Sequence, residues 1–245
     1  MTAIRVIDFE TTGIPGDGND GPIDGPHQIV EIGWCDVLDT DDESTIRPYR
    51  IPILCDPGRR IPPEASAVHH LTNETLTGCL SAEEALLHFD RLTSEVGITI
   101  LAAHNSRFDQ TFWDGNGRPW IDTYRCALRI WPNAPRHGNQ VLRYWIGLDL
   151  QKGVDEFNPD LANPSHRAGP DAYVTAHVLA QMLTDFDVKQ LLEWSTVPAL
   201  LPRCNFGKHR GLAWSEVPRD YLRWIVEKSG MDDEDVLHTA RHYLN

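Results

Sequence analysis

The chain has 245 residues, of which 41% are hydrophobic and 24% are charged, so it can form one large globular domain with a smaller one beside it. No apolar run reaches the about 20 residues of a membrane helix, and no signal peptide precedes the first strand-like segment; we therefore expect a cytoplasmic protein with no membrane partner. The net charge of −14 is only a weak argument against a nucleic-acid partner, since divalent metal ions bound at a site can contact phosphates even in an acidic protein.

Four segments rich in β-branched and apolar residues are predicted to be strands: 3–9, 28–37, 45–53 and 98–103. The segment 14–26 separates the first two strands and is rich in Gly and Pro, which predicts a loop. Five widely spaced cysteines without a C-x-x-C pair argue against a disulfide framework and against a structural zinc site.

Capping patterns and apolar spacing predict the helices. Ser81 and Glu84 form a capping-box pattern, and the apolar residues that follow them have helical spacing. Further helices are predicted over 123–131, 140–145 and 171–183, the last opened by a Gly-Pro pair. Three strands followed by alternating helices and a further strand predict an α/β sheet covered by helices.

The first strand carries two acids where a strand would normally bury apolar residues. In VIDFETTG, Asp8 and Glu10 are two residues apart, so they project from the same face of the strand. Carboxylates in such a place are usually compensated by a cation or by hydrogen-bond donors. The alternative is a pair of acids exposed to solvent at the end of the strand.

Two other segments combine a histidine with an acid five residues later. LAAHNSRFDQ contains His104 and Asp109, and HRAGPD contains His166 and Asp171 at the start of a predicted helix. The spacing cannot tell which histidine is catalytic, and either one alone is more typical of a hydrogen-bonded structural residue. Context separates them, because His104 follows a strand whereas His166 lies in a Pro- and Gly-rich loop.

Together these motifs resemble those of the DEDD superfamily of 3′→5′ exonucleases, in its histidine subgroup. The order and spacing of DFETTG, HNSRFD and HRAGPD agree with the three exonuclease motifs, and IPPEASAVHHLT resembles a further segment of the family. The resemblance covers about residues 1–185 and implies a ribonuclease H-like α/β fold, with a mixed sheet flanked by helices. One difference is His70, at which relatives commonly have Gly.

The resemblance also implies two-metal chemistry. Phosphodiester hydrolysis needs a nucleophilic hydroxide and neutralised charge in the transition state, which two divalent ions can supply, and Mg²⁺ or Mn²⁺ prefers oxygen ligands. By resemblance, Asp8 bridges both metals. Glu10 and Asp171 complete the first metal site, and Asp109 supports the second. His166 is then the general base that takes a proton from the attacking water.

The same resemblance implies a binding site for the terminal 3′ nucleotide. The backbone at Thr11 and Thr12 is expected to hold this nucleotide. Four side chains are expected to pack against its sugar or base: Val68, His69, His104 and Phe108. Ordinary packing in the core or on the surface is the alternative for each of these four residues.

The C-terminal sequence resembles the small C-terminal module of Exonuclease X-type proteins. Over residues 203–228, six Lys or Arg outnumber three acids and aromatic residues are interleaved with them, a pattern typical of strand binding by charge and stacking. Lys208 and Arg210, in a Gly-flanked loop, are the predicted nucleic-acid contacts. The alternative is a small helical module with a core of its own. Three residues are expected in that core: Leu222, Trp224 and Ile225.

These observations predict a catalytic domain over 1–185, a linker over 186–202 and a small, mainly helical C-terminal module over 203–245. The predicted function is a metal-dependent 3′→5′ exodeoxyribonuclease that releases nucleoside 5′-monophosphates from single- or double-stranded DNA, in repair or end trimming. RNA as the substrate and a polymerase proofreading subunit are alternatives within this chemistry. A catalytically inactive nucleic-acid-binding module is the alternative of another class. The sequence does not identify protein partners, and it leaves open whether the C-terminal module binds nucleic acid or a protein.

Overall fold

The computed structural model describes residues 2–15, 26–40, 44–48, 51–150 and 156–245. Most of the predicted Gly- and Pro-rich loop, 14–26, lies outside these residues. Among the helices of the described ranges, none is both long and apolar enough to cross a membrane.

In the part of the chain that the structure describes, seven strands form one mixed sheet. They are β1 (Thr2–Thr11), β2 (Ile29–Asp39), β3 (Ser44–Arg47), β4 (Ile53–Asp56), β5 (Leu80–Ser81), β6 (Ile100–Ala103) and β7 (Trp120–Asp122). β1 pairs antiparallel with β2 and parallel with β6, in the order β5-β4-β2-β1-β6-β7 with β3 beside β2. The predicted α/β class with a mixed sheet is confirmed, and β1 lies in the interior of that sheet.

One of the strand predictions is wrong. In place of a single strand over 45–53, the chain forms β3, which pairs with residues 36–39 of β2, and β4, which pairs with residues 31–32. Pro48 and Pro52 lie between these two strands. Because proline has no N–H with which to continue a strand ladder, the pairing is interrupted there.

Ten α-helices are present in the described residues. They are α1 (Pro63–His69), α2 (Asn73–Leu76), α3 (Ala82–Glu95), α4 (Ser106–Gln110), α5 (Thr123–Ile130), α6 (Asn139–Trp145), α7 (Ala168–Leu183), α8 (Val188–Thr196), α9 (Arg219–Lys228) and α10 (Glu234–Leu244). The predicted capping box is confirmed, because the Glu84 N–H donates to the Ser81 hydroxyl at 3.2 Å and the Ser81 N–H donates to the Glu84 carboxylate at 3.0 Å. α7 begins before residue 171, so Pro170 lies in its first turn, where a missing N–H breaks no helical hydrogen bond.

Successive side chains of β1 point to opposite faces of the sheet. Val6 belongs to the core formed with α5, α6, α7 and α8, whereas Ile7 belongs to the core formed with α3. Strand alternation therefore places Asp8 and Glu10 on the Val6 face. The prediction that the two acids share a face is confirmed, and α7 covers that face.

The start of α7 packs directly on β2 at Gly33. A Cβ atom at this position would lie 2.1 Å from the carbonyl carbon of Ala168 and 2.3 Å from its oxygen. Gly33 is also the partner of Asp8 in the β1–β2 register. A residue without a side chain is therefore what allows the first turn of α7 to approach the acids of β1.

We predict that Gly33→Ala destabilises the protein by about 1–3 kcal/mol, the usual range for overpacking. The added methyl group meets backbone atoms of α7, so the helix start has to move away from the sheet. Urea unfolding measures the effect, with Gly138→Ala as the control because a Cβ there meets nothing within 4 Å. Equal unfolding midpoints for the two variants would contradict the close-approach argument.

The chain after α7 continues to pack against the body of the protein. α8 lies inside the predicted linker 186–202, and its Leu191 is fully buried in the core on the α7 side. Further apolar residues form a cluster around Trp214, to which Leu128 of α5 belongs. The division into domains stays a prediction, and the described C-terminal segment contacts α5 through apolar side chains.

One of the three residues expected in the core of the C-terminal segment lies largely outside it. Leu222 and Ile225 are each 1% exposed, whereas Trp224 is 43% exposed. Residues three apart share a face of a helix, so Leu222 and Ile225 face the core together. Trp224 instead stacks on Tyr221, with ring centroids 5.2 Å apart.

A largely buried ion pair joins α10 to α5. Nη2 of Arg125 lies 3.0 Å from Oδ1 of Asp235, and the two side chains are 3% and 12% exposed. The Ala199 N–H donates to the same carboxylate at 2.7 Å. Because a charge left unpaired in the interior is strongly unfavourable, this pair holds the C-terminal segment against the body.

We predict that Asp235→Ala destabilises the protein by about 3–5 kcal/mol, the range for breaking a buried ion pair from one side. The change removes the nearer carboxylate from the buried Arg125 guanidinium and leaves only the exposed Glu234 carboxylate, 3.9 Å away, beside it. Urea unfolding measures the loss, and Asp232→Ala, at an exposed position of the same segment, is the control. If both substitutions shifted the unfolding midpoint equally, the ion pair would not be what holds the segment.

Candidate active site

Three carboxylates from two elements converge near the C-terminal end of β1. Asp8 and Glu10 come from β1 and Asp171 comes from the first turn of α7, and one ligand oxygen of each lies within 4.8 Å of the others. The β1–β2 pairing changes register between Glu10 and Thr11. Such irregularities are common next to active sites, where they change the direction of a side chain. Two separate elements thus hold the three acids at separations that one cation can span.

This cluster is electrostatically unfavourable when all three groups are ionised. Burial raises the pKa of Asp8 well above its ordinary value, and repulsion from Glu10 and Asp171 raises it further. Burial, with repulsion from Asp171, raises the pKa of Glu10 to about 8, and burial raises the pKa of Asp171. A divalent cation would offset this repulsion, and carboxylate oxygens are the donors that hard ions prefer. The residues present therefore fit a divalent metal.

Asp109 lies near this cluster without joining it. Its side chain belongs to α4 and is 3% exposed, and its charge contributes to the raised pKa of Asp8. Burial also raises the pKa of Asp109, although hydrogen bonds from backbone groups, including that of Phe9, lower it. The structure brings three of the four predicted acids together and leaves the fourth beside them.

His166 lies in the loop immediately before α7. Its backbone has a positive φ of 61°, and its N–H donates to Oδ2 of Asp171 at 2.7 Å. A left-handed backbone is uncommon for residues other than glycine, and this hydrogen bond helps to hold it. The residue is exposed, so a water or a substrate near the acids can reach its imidazole.

A buried ion pair anchors this loop to the sheet. Glu31 is fully buried in β2 and lies opposite Glu10 in the β1–β2 register. The Arg167 guanidinium donates to both of its oxygens, at 2.8 and 2.5 Å, and the Ala168 N–H donates to it at 3.0 Å. Because Arg167 and Ala168 directly follow His166, the pair fixes both the histidine loop and the first turn of α7.

Two amide side chains from the start of α6 hold Asp171. Nε2 of Gln140 donates to Oδ1 of Asp171 at 2.9 Å, and Nδ2 of Asn139 donates to the main-chain carbonyl of Asp171 at 3.0 Å. With the His166 N–H on Oδ2, both carboxylate oxygens accept a hydrogen bond. The hydrogen bonds to the carboxylate orient it and lower its pKa, but burial raises this pKa by more.

Both ring nitrogens of His104 are engaged within the protein. Nδ1 lies 3.0 Å from the Thr123 hydroxyl, and Nε2 lies 2.7 Å from the main-chain carbonyl of His137. Burial lowers the pKa of His104 to about 4, so its ring is neutral near pH 7. These contacts favour a role in holding the loop that contains His137 over the predicted contact with a nucleotide.

A pocket of about 310 Å³ opens beside Glu10. Its walls come from the end of β1, from α1 and from α4. Five of the predicted substrate-binding residues line it: Thr11, Thr12, Val68, His69 and Phe108. The structure therefore brings these residues together next to one of the acids, whereas His104 is not among those that line the pocket.

His69 has a poorly aligned donor, Nε2–H, in the wall of this pocket. It is 1% exposed, and its Nδ1 accepts the Leu71 N–H at 3.0 Å, so the neutral ring carries its proton on Nε2. Burial lowers the pKa of His69, whereas a weak hydrogen bond with the Thr11 backbone raises it by less. Nε2 has no well-aligned partner among the described residues, and a buried donor in this state favours an acceptor on a ligand.

The backbone of Thr12 is already hydrogen-bonded. Its N–H donates to the Gln28 carbonyl at 2.9 Å, and its hydroxyl accepts the Gln28 N–H at 3.0 Å. The Thr11 hydroxyl donates to the Gly13 carbonyl at 2.8 Å. These contacts fix the wall of the pocket and leave the Thr12 N–H unavailable to a nucleotide.

Lys208 and Arg210 do not line this pocket. Both are exposed in the C-terminal segment. The Lys208 ammonium lies 5.3 Å from the centroid of the Tyr221 ring, and Nε of Arg210 donates to the Asn205 carbonyl at 2.8 Å. The structure thus separates them from the residues expected to contact the terminal nucleotide.

Sequence reasoning missed four residues that organise the site: Glu31, Arg167, Asn139 and Gln140. Glu31 had the same signal as Asp8, an acid inside an apolar strand segment, IVEIGW. The other three had no comparable signal, since their contacts depend on how α6 and α7 approach the sheet in space.

Several known proteins share this sequence pattern. The sequence model of the family described as Exonuclease matches residues 6–179. Exodeoxyribonuclease 10 of Escherichia coli (strain K12) is 30% identical over 246 residues, which cover 98% of this chain and 98% of that protein. DNA polymerase III subunit epsilon of Treponema pallidum (strain Nichols) is 27% identical, over 74% of this chain and 76% of that protein.

The fold also recurs in solved structures. Exonuclease X in complex with 5′ overhanging duplex DNA matches with a TM-score of 0.58 at 26% identity, covering 78% of this chain and 99% of that chain. A full-length 3′-exonuclease matches with a TM-score of 0.54 at 16% identity, covering 75% of this chain and 60% of that chain. The sequence match with the Escherichia coli protein thus extends further along the chain than either structural match.

We predict that the metal-free protein loses stability as the pH rises from 4.5 toward 8, in part because of Glu10. The ordinary pKa of this carboxyl is 4.5 and its folded pKa is about 8, so over this range the folded state keeps a proton that the unfolded chain releases. The stabilisation is complete below pH 4.5 and is lost as the pH passes through 8.

Urea unfolding in EDTA tests this pH dependence. Glu10→Gln should be more stable than the wild type at pH 8 and about equal to it below pH 4.5. An unchanged difference between the two proteins across this range would show that the acid cluster is not under electrostatic strain.

We predict that Arg167→Ala lowers stability by about 3–5 kcal/mol, because it leaves Glu31 buried and unpaired. Adding Glu31→Gln to this variant should recover part of the stability, since the buried charge is then removed. Turnover should stay low in both proteins, because the loop that carries His166 has lost its anchor. Unfolding midpoints and turnover are measured together, and normal turnover in the double variant would contradict the anchoring role.

Proposed function

The chain belongs to the Exonuclease family, and on this basis we infer that it is a metal-dependent 3′→5′ exodeoxyribonuclease that releases nucleoside 5′-monophosphates. The observation that carries the proposal is the convergence of Asp8, Glu10 and Asp171 within 4.8 Å, beside a pocket of about 310 Å³. An inactive binding module would have no use for a cluster of acids that is unfavourable without a cation, so that alternative is disfavoured.

The four acids are the proposed metal ligands. Asp8, Glu10 and Asp171 would hold one divalent ion, Mg²⁺ or Mn²⁺, and Asp109 would support a second ion near Asp8. Ions bound there would activate a water and neutralise charge on the scissile phosphate. The chain's own contribution is orientation, because Gln140 and the His166 N–H hold the Asp171 carboxylate in a fixed position.

His166 is the proposed general base. Its loop is fixed by the Glu31–Arg167 pair, and its main-chain N–H donates to Asp171. This loop therefore carries the exposed His166 side chain beside the acids, where an attacking water would have to be deprotonated. Imidazole is suited to this task because it exchanges protons near neutral pH. His104 is a poorer candidate, because both of its ring nitrogens already have partners.

The pocket beside Glu10 is the proposed site of the terminal 3′ nucleotide. Val68 and Phe108 offer apolar surface to its sugar or base, and Thr11 and Thr12 form the wall next to the acids. His69 stays a proposed contact: its buried Nε2–H is poorly aligned with the Thr11 backbone and would have to become exposed to reach an oxygen of this nucleotide. A nucleotide in the pocket would thus place its phosphate next to the carboxylates of β1.

DNA is the proposed substrate, with Lys208 and Arg210 as further contacts to its phosphates. The name of Exodeoxyribonuclease 10 and the DNA in the Exonuclease X structure support this choice.

The similarity to a polymerase III subunit epsilon covers only 74% of this chain, so a free exonuclease that acts in repair or end trimming is favoured over a proofreading subunit. The cytoplasmic location stays a prediction.

We predict that His166→Ala lowers turnover by about 10²–10⁴-fold, the usual range for losing a positioned general base. His104→Ala should lower turnover less and should lower stability more, because it removes two internal hydrogen bonds. Steady-state hydrolysis and thermal unfolding of both variants test this contrast. If His104→Ala were the more damaging change in turnover, the general base would be misassigned.

The product pattern tests the proposed function directly. DNA and RNA of the same sequence, labelled at the 5′ end, are incubated single- and double-stranded with Mg²⁺ and then with EDTA. We expect DNA to be shortened in single-nucleotide steps from its 3′ end and this shortening to stop in EDTA. Shortening of RNA in preference to DNA, or no shortening with any divalent metal, would refute the assignment.

A further inference from the structure

A second cleft lies between the body of the protein and its C-terminal segment. It has a volume of about 530 Å³, with Tyr124 and the loop 132–137 on one side and residues of 201–213 on the other. Leu128 and Leu201, in its lining, belong to the apolar contact between α5 and the C-terminal segment. The cleft shares no lining residue with the pocket beside Glu10.

The charged lining of this cleft is basic. Arg136 comes from the body and Arg203 from the C-terminal segment; both are exposed, and no carboxylate is among the described residues that line the cleft. The amide side chains of Asn133 and Asn205 are the other polar groups beside these guanidinium groups. In a chain with a net charge of −14, two arginines facing one cleft without an acid favour a polyanionic ligand.

One loop connects the cleft to the acid cluster. His137 lines the cleft, and Asn139 and Gln140, which follow it closely in the chain, hold Asp171. Asn139 is three positions after Arg136 in the chain, so their Cα atoms are at most about 11 Å apart. That distance corresponds to about three nucleotide steps along a DNA strand. One DNA strand can therefore contact both the cleft and the acid cluster.

We propose that this cleft binds the phosphate backbone of the DNA substrate a few nucleotides away from the 3′ end that is being hydrolysed. The proposal rests on the proposed exodeoxyribonuclease function, because it concerns another part of the same substrate. Arg136 and Arg203 contact phosphates, and the rings of Tyr124 and His137 line the wall on which a sugar or base can pack.

The proposal gives the C-terminal segment a specific role in the activity. Arg203 reaches the cleft only because its segment is docked on α5 by the apolar cluster and by the Arg125–Asp235 pair. The docked segment therefore completes a binding surface of which the body supplies one half. An acidic protein partner would satisfy the same charges, but the loop that joins the cleft to the residues holding Asp171 favours the substrate.

DNA binding without hydrolysis tests the proposal. In an Asp8→Ala background, the affinity for a fluorescent DNA with a free 3′ end is measured over a salt series, with and without Arg136→Gln and Arg203→Gln together. We expect about tenfold weaker binding at low salt, with the log–log salt dependence flattened by about 0.7–0.9 per lost contact.

Arg91→Gln and Arg241→Gln together form the matched control. This pair makes the same change in net charge, with one exposed arginine from the body and one from the C-terminal segment, and neither residue lines the cleft. Its salt dependence should stay close to that of the parent protein. Since Arg203 also donates to the Gly211 carbonyl at 3.0 Å, Arg136→Gln alone should produce about half of the flattening without disturbing that loop.

A small chromogenic substrate, thymidine 5′-(p-nitrophenyl phosphate), separates the cleft from the chemistry. With Asp8 intact, hydrolysis of this small substrate should be unchanged by the two cleft substitutions, because the substrate is too short to contact the acids and the cleft at once. Equal affinity and equal salt dependence in the cleft and control variants would overturn the proposal. So would weaker binding of an Asp/Glu-rich peptide in the cleft variant with no change for DNA, because the occupant would then be a protein.

The two measurements distinguish an error in the proposed DNA binding by the cleft from an error in the proposed function. Binding is measured in an inactive background, so its outcome decides the cleft whatever the products are. Absence of DNA shortening by the wild type, in contrast, would refute the exodeoxyribonuclease assignment and would leave the cleft as a DNA-binding site without a hydrolysed 3′ end.

Discussion

Repulsion between three partly buried carboxylates determines how this site has to be built. Asp8, Glu10 and Asp171 offer oxygens within 4.8 Å of one another, in surroundings that raise the pKa of each. Such groups separate or take up protons unless the backbone holds them together and a cation compensates them. Contacts outside the cluster therefore have to supply the free energy that holds these acids close together.

The supporting contacts all act on the start of α7. Gly33 lets the first turn of the helix approach β2 without a steric clash. Glu31 binds Arg167 and the Ala168 N–H from within the sheet, and Gln140 holds the Asp171 carboxylate from α6. One helix end is thus fixed by a strand, by an ion pair and by a neighbouring helix, which gives the histidine loop before it a defined position.

The sequence was informative where chemistry follows from local spacing, and uninformative where it follows from packing. Asp8 and Glu10 on one face could be predicted, because alternation along a strand is a local property. The engagement of both nitrogens of His104 could not, because its partners Thr123 and His137 come from other elements. The exposure of Trp224 shows a third case, in which an aromatic residue in an amphipathic helix lies on the face opposite to the core.

Thermal unfolding with and without metal tests whether the three acids form a divalent cation site. Saturating Mg²⁺ or Mn²⁺ should raise the Tm of the wild type relative to EDTA by about 5–10 °C, the shift expected for a ligand at about 100 times its Kd in a chain of this size. In Asp8→Asn, which keeps the shape of the side chain but removes its charge, the shift should be absent. No shift in the wild type, or an equal shift in the variant, would show that these three acids do not bind the cation.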